Sequence, residues 1–80
     1  MGGPYETERE ALADCADVYD AIRAREGEMQ DLNLAVLKDA CRTARVELGE
    51  YDQSVLGWLA GFEPQSCQAI AEIIRRAAKA

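Results

Sequence analysis

Several residue types on which catalytic and metal sites depend are missing or scarce in this chain. No histidine occurs among its 80 residues, and its three cysteines lack the CxxC spacing of zinc-binding sequences. There is no glycine-rich phosphate loop, and no cysteine or serine has a base at a suitable spacing. The sequence therefore predicts a protein that is not an enzyme and that holds no metal or cofactor.

Long apolar runs and targeting signals are also lacking. No apolar run approaches the roughly 18 residues that a membrane-spanning helix needs. The start "MGGPYETERE" has neither a basic beginning nor an apolar stretch. The odd number of cysteines, each among apolar neighbours at helical spacing, predicts buried thiols in a reducing compartment: Cys15, Cys41 and Cys67. We therefore expect a cytoplasmic location and no membrane contact.

Basic residues are few, with nine against fifteen acidic ones and a formal net charge of −6. An apolar fraction of 49% with 30% charged residues is typical of a folded globular domain. A chain this short buries only roughly 60 to 65% of its unfolded surface, so its core is small. Because small domains often gain stability by pairing, a homodimer is one expectation.

The apolar pattern predicts an all-α fold, a single small bundle of about four helices over residues 1–80. A helical hairpin, 8–25 and 29–48, precedes a pair resembling a helix-turn-helix, 53–60 and 64–79. Thr7 and Glu10 have the spacing of a capping box, and Asp52 or Ser54 is the expected cap of the third helix. Gly27 and Gly49 are the expected helix ends, and proline 64 suits a first helical position. One glycine does not force a turn, so a continuous helix over 8–48 is the alternative to the favoured hairpin.

Apolar residues at spacings of three and four define the predicted core or dimer face. Its members are Leu12, Tyr19, Ile22, Val36, Leu37, Trp58, Phe62, Ile70 and Ile74. Two hypotheses concern the aromatic pair at the third helix. Trp58 and Phe62 are expected to pin that helix onto the core, because burying an aromatic ring is a large term in a small domain. The alternative is an aromatic cluster exposed on a dimer face.

The segment "GWLAGFEPQSCQAIAEIIRRA", residues 57–77, fits a helix-turn-helix motif. Gly57 stands where the two helices should cross, and Gly61 stands at the turn. A DNA-binding protein of this kind would use its second helix, with contacts from Gln65, Gln68, Arg75, Arg76 and Lys79. The negative net charge disfavours DNA, because phosphate neutralisation supplies most of the affinity in such complexes.

Charged residues at helical spacing form two outward stripes that are candidate surfaces for a protein partner. The acidic stripe comprises Glu6, Glu10, Asp14 and Asp17, and the basic stripe comprises Lys38, Arg42 and Arg45. Such stripes commonly do no more than solvate a helix and form weak surface pairs. The second interpretation is a surface of one sign that steers a partner of opposite charge.

The C-terminal third, "YDQSVLGWLAGFEPQSCQAIAEIIRRA", resembles the ends of short uncharacterised proteins of actinobacteria and their phages. The resemblance lies in Trp-Leu-Ala, an aromatic-Glu-Pro and a closing Arg-Arg-Ala, over residues 51–77. It implies a phage or mobile-element accessory protein and assigns no activity. We expect a small intracellular interaction protein, regulatory in role, that binds another protein. The alternatives are a helix-turn-helix DNA-binding regulator acting as a dimer, and a structural assembly subunit.

Overall fold

The structure, a computed structural model, describes residues 2–79 and confirms the all-α prediction, with no strand in that range. Five helices follow one another along the chain: α1 Glu8–Asp14, α2 Ala16–Arg23, α3 Met29–Thr43, α4 Glu50–Leu59 and α5 Pro64–Lys79. Over the same residues, no helix is long and apolar enough to cross a membrane. The predicted single domain of 1–80 includes Met1 and Ala80, which lie outside the described residues.

The first predicted helix, 8–25, is two helices in the structure. It begins as expected, because the Thr7 hydroxyl accepts from the Glu10 amide and the Glu10 carboxylate accepts from the Thr7 amide, at 3.4 and 2.8 Å. The backbone leaves the helical conformation at Cys15, which has φ −112° and ψ 22°. Neither glycine nor proline marks that break, so no local sequence rule predicts it.

The α2 helix is terminated by Arg25 and the α3 helix by Arg45, whereas the sequence predicted that Gly27 and Gly49 would end them. Arg25 and Arg45 have φ of 57° and 59°, the left-handed conformation that usually selects glycine. In each case the next amide donates back five residues, from residue 26 to 21 and from residue 46 to 41, at 2.9 Å. The α3 helix therefore stops five residues before the predicted 48. The turn between α2 and α3 confirms the hairpin over a continuous helix.

The α4 helix begins three residues earlier than predicted. Gly49 is the residue before its first turn, and its amide donates to the Asp52 carboxylate at 2.9 Å. Asp52 thus satisfies the helix start from inside the first turn. Ser54 plays no part there, since its hydroxyl donates to the Glu50 carbonyl at 3.2 Å. Proline 64 opens α5 as predicted.

The centre of the fold is α3, which packs on α2, α4 and α5, while α1 packs on α5. Small side chains fill most of the interior: Ala11, Cys15, Val18, Leu37, Ala40, Cys41, Leu56, Ala60, Cys67 and Ala71. The three cysteines are free and buried, as predicted. Alanine and cysteine let helix backbones approach closely, which leaves little room for larger side chains.

The predicted core is confirmed at Leu37, whose exposure is 0%. Six of the other predicted residues are only half-buried around the interior: Leu12, Tyr19, Ile22, Val36, Ile70 and Ile74. The prediction that Trp58 and Phe62 pin a helix onto the core is wrong, because both side chains are exposed. The larger apolar residues therefore frame a core of small ones.

Candidate functional site

The outer side of α4 carries a row of exposed apolar side chains, which we call the aromatic face: Tyr51, Val55, Trp58 and Phe62. Their exposed fractions are 80%, 37%, 65% and 47%. Spacings of four, three and four residues place them on one side of a helix and its following turn. The rings of Trp58 and Phe62 meet edge to face, with centroids 5.0 Å apart at an interplanar angle of 67°. This is a favoured aromatic geometry, so the pair forms a defined surface.

A second apolar side of α4 faces inward, because Leu56 and Ala60 are buried against the core. A helix that is apolar on both sides is typical of one covered on both sides. With aromatic side chains of about 150 to 250 Å² each, these exposed fractions leave roughly 400 Å² of aromatic surface in solvent. This area is within the range of the largest apolar patch on a typical monomeric protein, about 300 to 600 Å², and such patches often bind a partner.

Asn33 of α3 holds the turn that carries the C-terminal end of the aromatic face. Its side chain is 1% exposed, and its Nδ2 donates to the carbonyls of Ala60 and Phe62 at 2.9 and 2.8 Å. Gln30, one turn earlier on α3, donates from Nε2 to the Gly57 carbonyl at 2.9 Å. These bonds fix the α4–α5 turn on α3. In the sequence, Asn33 stands between Met29 and Leu37 in the apolar stripe. A polar residue at such a core position indicates a buried hydrogen-bonding role, and the sequence prediction missed it.

Acidic residues precede α4, lie in its first turn and follow it, so they are close along the chain to the aromatic face. Residues 46–74 contain five acidic side chains and neither lysine nor arginine. Four of the five are exposed, and we call them the acidic rim: Glu47, Glu50, Asp52 and Glu63. Lys38 and Arg42 border a depression with Gln53. Val46 and Leu48, on either side of Glu47, line the same depression, so the two bases lie near the Glu47 end of the rim. Helical spacing puts Gln53 on the side of α4 away from Trp58, so the bases lie away from the aromatic pair.

The helix-turn-helix prediction is wrong at Gly57, the residue expected where the two helices cross. A Cβ added at Gly57 would meet nothing within 4 Å, so this glycine does not stand at a helix crossing. The buried small residue on α4 is instead Ala60, with 0% exposure. Gly61 does stand in the turn, where an added Cβ would lie 3.3 Å from the Trp58 carbonyl oxygen. Both α4 and α5 pack chiefly on α3.

The first predicted DNA-reading residue, Gln65, faces the interior. It is 8% exposed, its Oε1 accepts from the Tyr19 hydroxyl at 2.5 Å, and its Nε2 donates to the Glu8 carboxylate at 2.7 Å. A further bond joins Nε2 to the Glu63 carboxylate. Gln68 is half-buried, and its Nε2 donates to the Tyr5 hydroxyl at 3.1 Å. The N-terminal segment and α1 therefore engage both amides that were expected to face a base.

The remaining predicted DNA contacts lie further along α5. Arg75 pairs with Asp39 at 3.1 Å and also with Glu72, and its side chain is 23% exposed. Arg76 donates from Nη1 to the Gly2 carbonyl at 2.8 Å. Lys79 is exposed at the end of the helix. The structure thus ties the two arginines to neighbouring segments and does not gather the five residues into one exposed surface.

The predicted acidic stripe is divided between different roles. Asp14 is half-buried and accepts from the Tyr5 hydroxyl at 2.7 Å and from the Gly2 amide at 2.9 Å, and these bonds lower its pKa. Amides of Glu6 and Thr7 donate to the Glu10 carboxylate and lower its pKa. Glu6 precedes α1, and Asp17 lies exposed in the first turn of α2. The break at Cys15 prevents one continuous stripe.

The predicted basic stripe is also only partly assembled. Lys38 and Arg42 lie one turn apart on α3, and Arg42 pairs with Asp39 of its own helix at 2.9 Å. Arg45 lies beyond α3 and is itself the residue whose left-handed backbone ends the helix. Exposed pairs of this kind contribute little to stability. Lys38 and Arg42 remain candidates for contact with a partner, and Arg45 belongs to the turn.

Two of the buried thiols donate to backbone carbonyls, Cys15 to Leu12 at 3.7 Å and Cys67 to Leu59 at 3.4 Å. Burial raises the pKa of Cys15 and of Cys67, with nearby Asp17 adding to the effect at Cys15. A raised pKa keeps a thiol protonated and weakens it as a nucleophile or metal ligand. Within residues 2–79, no group of three or more cysteine, aspartate or glutamate side chains is placed to hold a metal ion.

Comparison of the chain with models of protein families, with curated protein sequences and with solved structures finds no match. Trp58 and Phe62 are exposed together, as in the less favoured alternative of an exposed aromatic cluster. The spacing of the aromatic face is visible in the sequence once α4 is known to begin at Glu50.

Proposed function

We propose that this chain is a small, non-enzymatic interaction protein, regulatory in role, that binds another protein through the aromatic face of α4. The observation that carries the proposal is the exposure of Trp58 at 65% beside Phe62 at 47%. Aromatic side chains are enriched at the centres of protein interfaces, where they contribute most of the binding free energy. Burial of roughly 400 Å² of aromatic surface gives a gross gain of about 10 kcal/mol, before the cost of association.

The α4 face is preferred over the charged stripes on α1, α2 and α3. Asp14 is half-buried and bonded within the chain, and Arg42 pairs with a residue of its own helix. Exposed charges chiefly steer association and select partners, whereas an apolar centre supplies affinity. Lys38, Glu6 and Asp17 therefore remain secondary candidates in this proposal.

The DNA-binding alternative has less support. Gln65 and Gln68 bond to side chains of the same chain, and the net charge of −6 opposes approach to phosphates. A structural assembly subunit is compatible with an exposed apolar face, but no further observation favours it. A cytoplasmic location is proposed from the three free thiols. An origin in a phage or mobile element is proposed from the C-terminal resemblance alone.

The test compares three immobilised baits in an extract of the source organism. The wild-type chain is compared with Trp58→Ala/Phe62→Ala, and the matched control is Ile73→Ala, an exposed apolar residue on α5 at 56% exposure. We expect a protein retained by wild type and control and lost from the double variant. Purified with the wild-type chain, that protein should shift the emission of Trp58, the only tryptophan. Equal retention by all three baits would refute the proposal.

A further inference from the structure

The pattern of the aromatic face indicates the shape of what covers it. Tyr51, Val55 and Trp58 of α4 stand at spacings of four and three, the spacing by which one helix packs along another in a coiled-coil seam. Phe62, in the turn after α4, extends the row through its ring contact with Trp58. The ten residues of α4 span about 15 Å at 1.5 Å per residue. Such a short, straight apolar row fits the apolar side of a second helix.

Charge around the row indicates the composition of that helix. Glu47, Glu50, Asp52 and Glu63 are exposed next to it, and residues 46–74 contain no basic side chain. We propose that the partner presents a basic amphipathic helix, whose bulky apolar side chains cover Trp58 and Phe62 and whose lysines and arginines meet the acidic rim. This inference rests on the proposed function and adds the chemistry of the partner.

A second copy of this chain fits the same face poorly. A symmetric dimer places the same patch on both sides of the interface, so each acidic rim would meet another acidic rim. Like charges brought together across an interface oppose association.

The test uses two model peptides of 18 residues and the fluorescence of Trp58. Both peptides carry leucine at coiled-coil seam positions; one has lysine at the other positions and its twin has glutamate. We expect the lysine peptide to shift Trp58 emission to shorter wavelength in a saturable titration. Raising the salt from about 0.05 M to about 0.5 M should weaken binding about tenfold, because salt screens exposed charges. The glutamate peptide should give no shift.

Two matched double variants separate the acidic rim from net charge. Glu47→Gln/Glu50→Gln removes two rim charges, while Glu6→Gln/Asp17→Asn removes two exposed charges away from α4. We expect the first to weaken lysine-peptide binding about 3- to 10-fold and the second to change it less than twofold. Equal weakening by both variants would overturn the inference, as would no binding of the lysine peptide.

Failure of this inference can be told from failure of the proposed function. If both peptides bind equally and Tyr51→Ala/Phe62→Ala abolishes both, the face binds apolar helices without charge selection. That result overturns the basic partner and leaves the proposed function standing. The bait experiment with Trp58→Ala/Phe62→Ala decides the function independently, because it makes no assumption about the charge of the partner.

Discussion

Replacing Trp58 with alanine should cost much less stability than replacing a core residue. A fully buried tryptophan costs about 3 to 5 kcal/mol on truncation to alanine, but 65% of Trp58 is exposed. The buried third therefore contributes about 1 to 1.7 kcal/mol, and loss of the Phe62 contact adds about 0.5 to 1 kcal/mol. Better helix propensity of alanine returns about 0.5 kcal/mol. The net cost is about 1 to 2 kcal/mol.

Leu37→Ala provides the contrast, since Leu37 is 0% exposed at the centre of the core. Truncation of a buried leucine costs about 3 to 5 kcal/mol. A chain of this length has a total unfolding free energy of about 4 to 12 kcal/mol. Leu37→Ala should therefore lose much of the cooperative transition, whereas Trp58→Ala should keep it.

Urea unfolding followed by circular dichroism at 222 nm measures both effects without depending on tryptophan emission. Ile73→Ala, a truncation on the exposed side of α5, controls for loss of surface apolar contact. A denaturant slope of about 1 kcal/mol/M converts the expected cost of Trp58→Ala into a midpoint shift of about 1 to 2 M. A loss of 3 kcal/mol or more for Trp58→Ala would refute an exposed aromatic face and return this residue to the core.

Three further changes have defined outcomes. Arg25→Gly should raise the unfolding free energy by about 0.5 to 1 kcal/mol in urea, because glycine adopts φ of 57° without strain. Asn33→Ala should lower it by about 2 to 4 kcal/mol, since two carbonyls lose their buried donor. Because the pKa of Asp14 is lowered in the folded chain, its ionised carboxylate stabilises the fold above the ordinary carboxyl value of 3.8. That stabilisation is lost as the pH falls through the lowered pKa. Asp14→Asn should therefore flatten the decline of the melting temperature below about pH 4, and an unchanged pH profile would contradict the role of its bonds to Tyr5 and Gly2.

Sequence rules succeeded where a helix end depends on residues three or four positions apart. The capping box of Thr7 and Glu10 and the start of α5 at proline 64 are of this kind. They failed at Arg25 and Arg45, which adopt a conformation that glycine normally takes. The break at Cys15 also escaped prediction, because no residue with a special backbone preference stands there.

The sequence predicted that Trp58 and Phe62 lie together, but it did not predict that both are exposed. Their burial depends on which side of α4 packs against α3. The sequence places Trp58 and Phe62 near Leu56 and gives no direct measure of which side of α4 meets α3. Ala60 and Leu56 meet it, and Asn33 holds the following turn to the same helix. Once those contacts are made, the spacing of Trp58 and Phe62 directs them outward. An aromatic residue in a small domain is therefore a weak predictor of its core.

The acidic composition and the aromatic face have a joint physical explanation. An exposed apolar row on a chain this small favours self-association, and a large net charge opposes it. Acidic side chains at Glu47, Glu50, Asp52 and Glu63 place that opposing charge around the row itself. The same negative charges repel the acidic rim of a second copy. They attract a basic helix, because lysine and arginine have the opposite charge. One arrangement of residues can thus keep the free chain monomeric and select its partner.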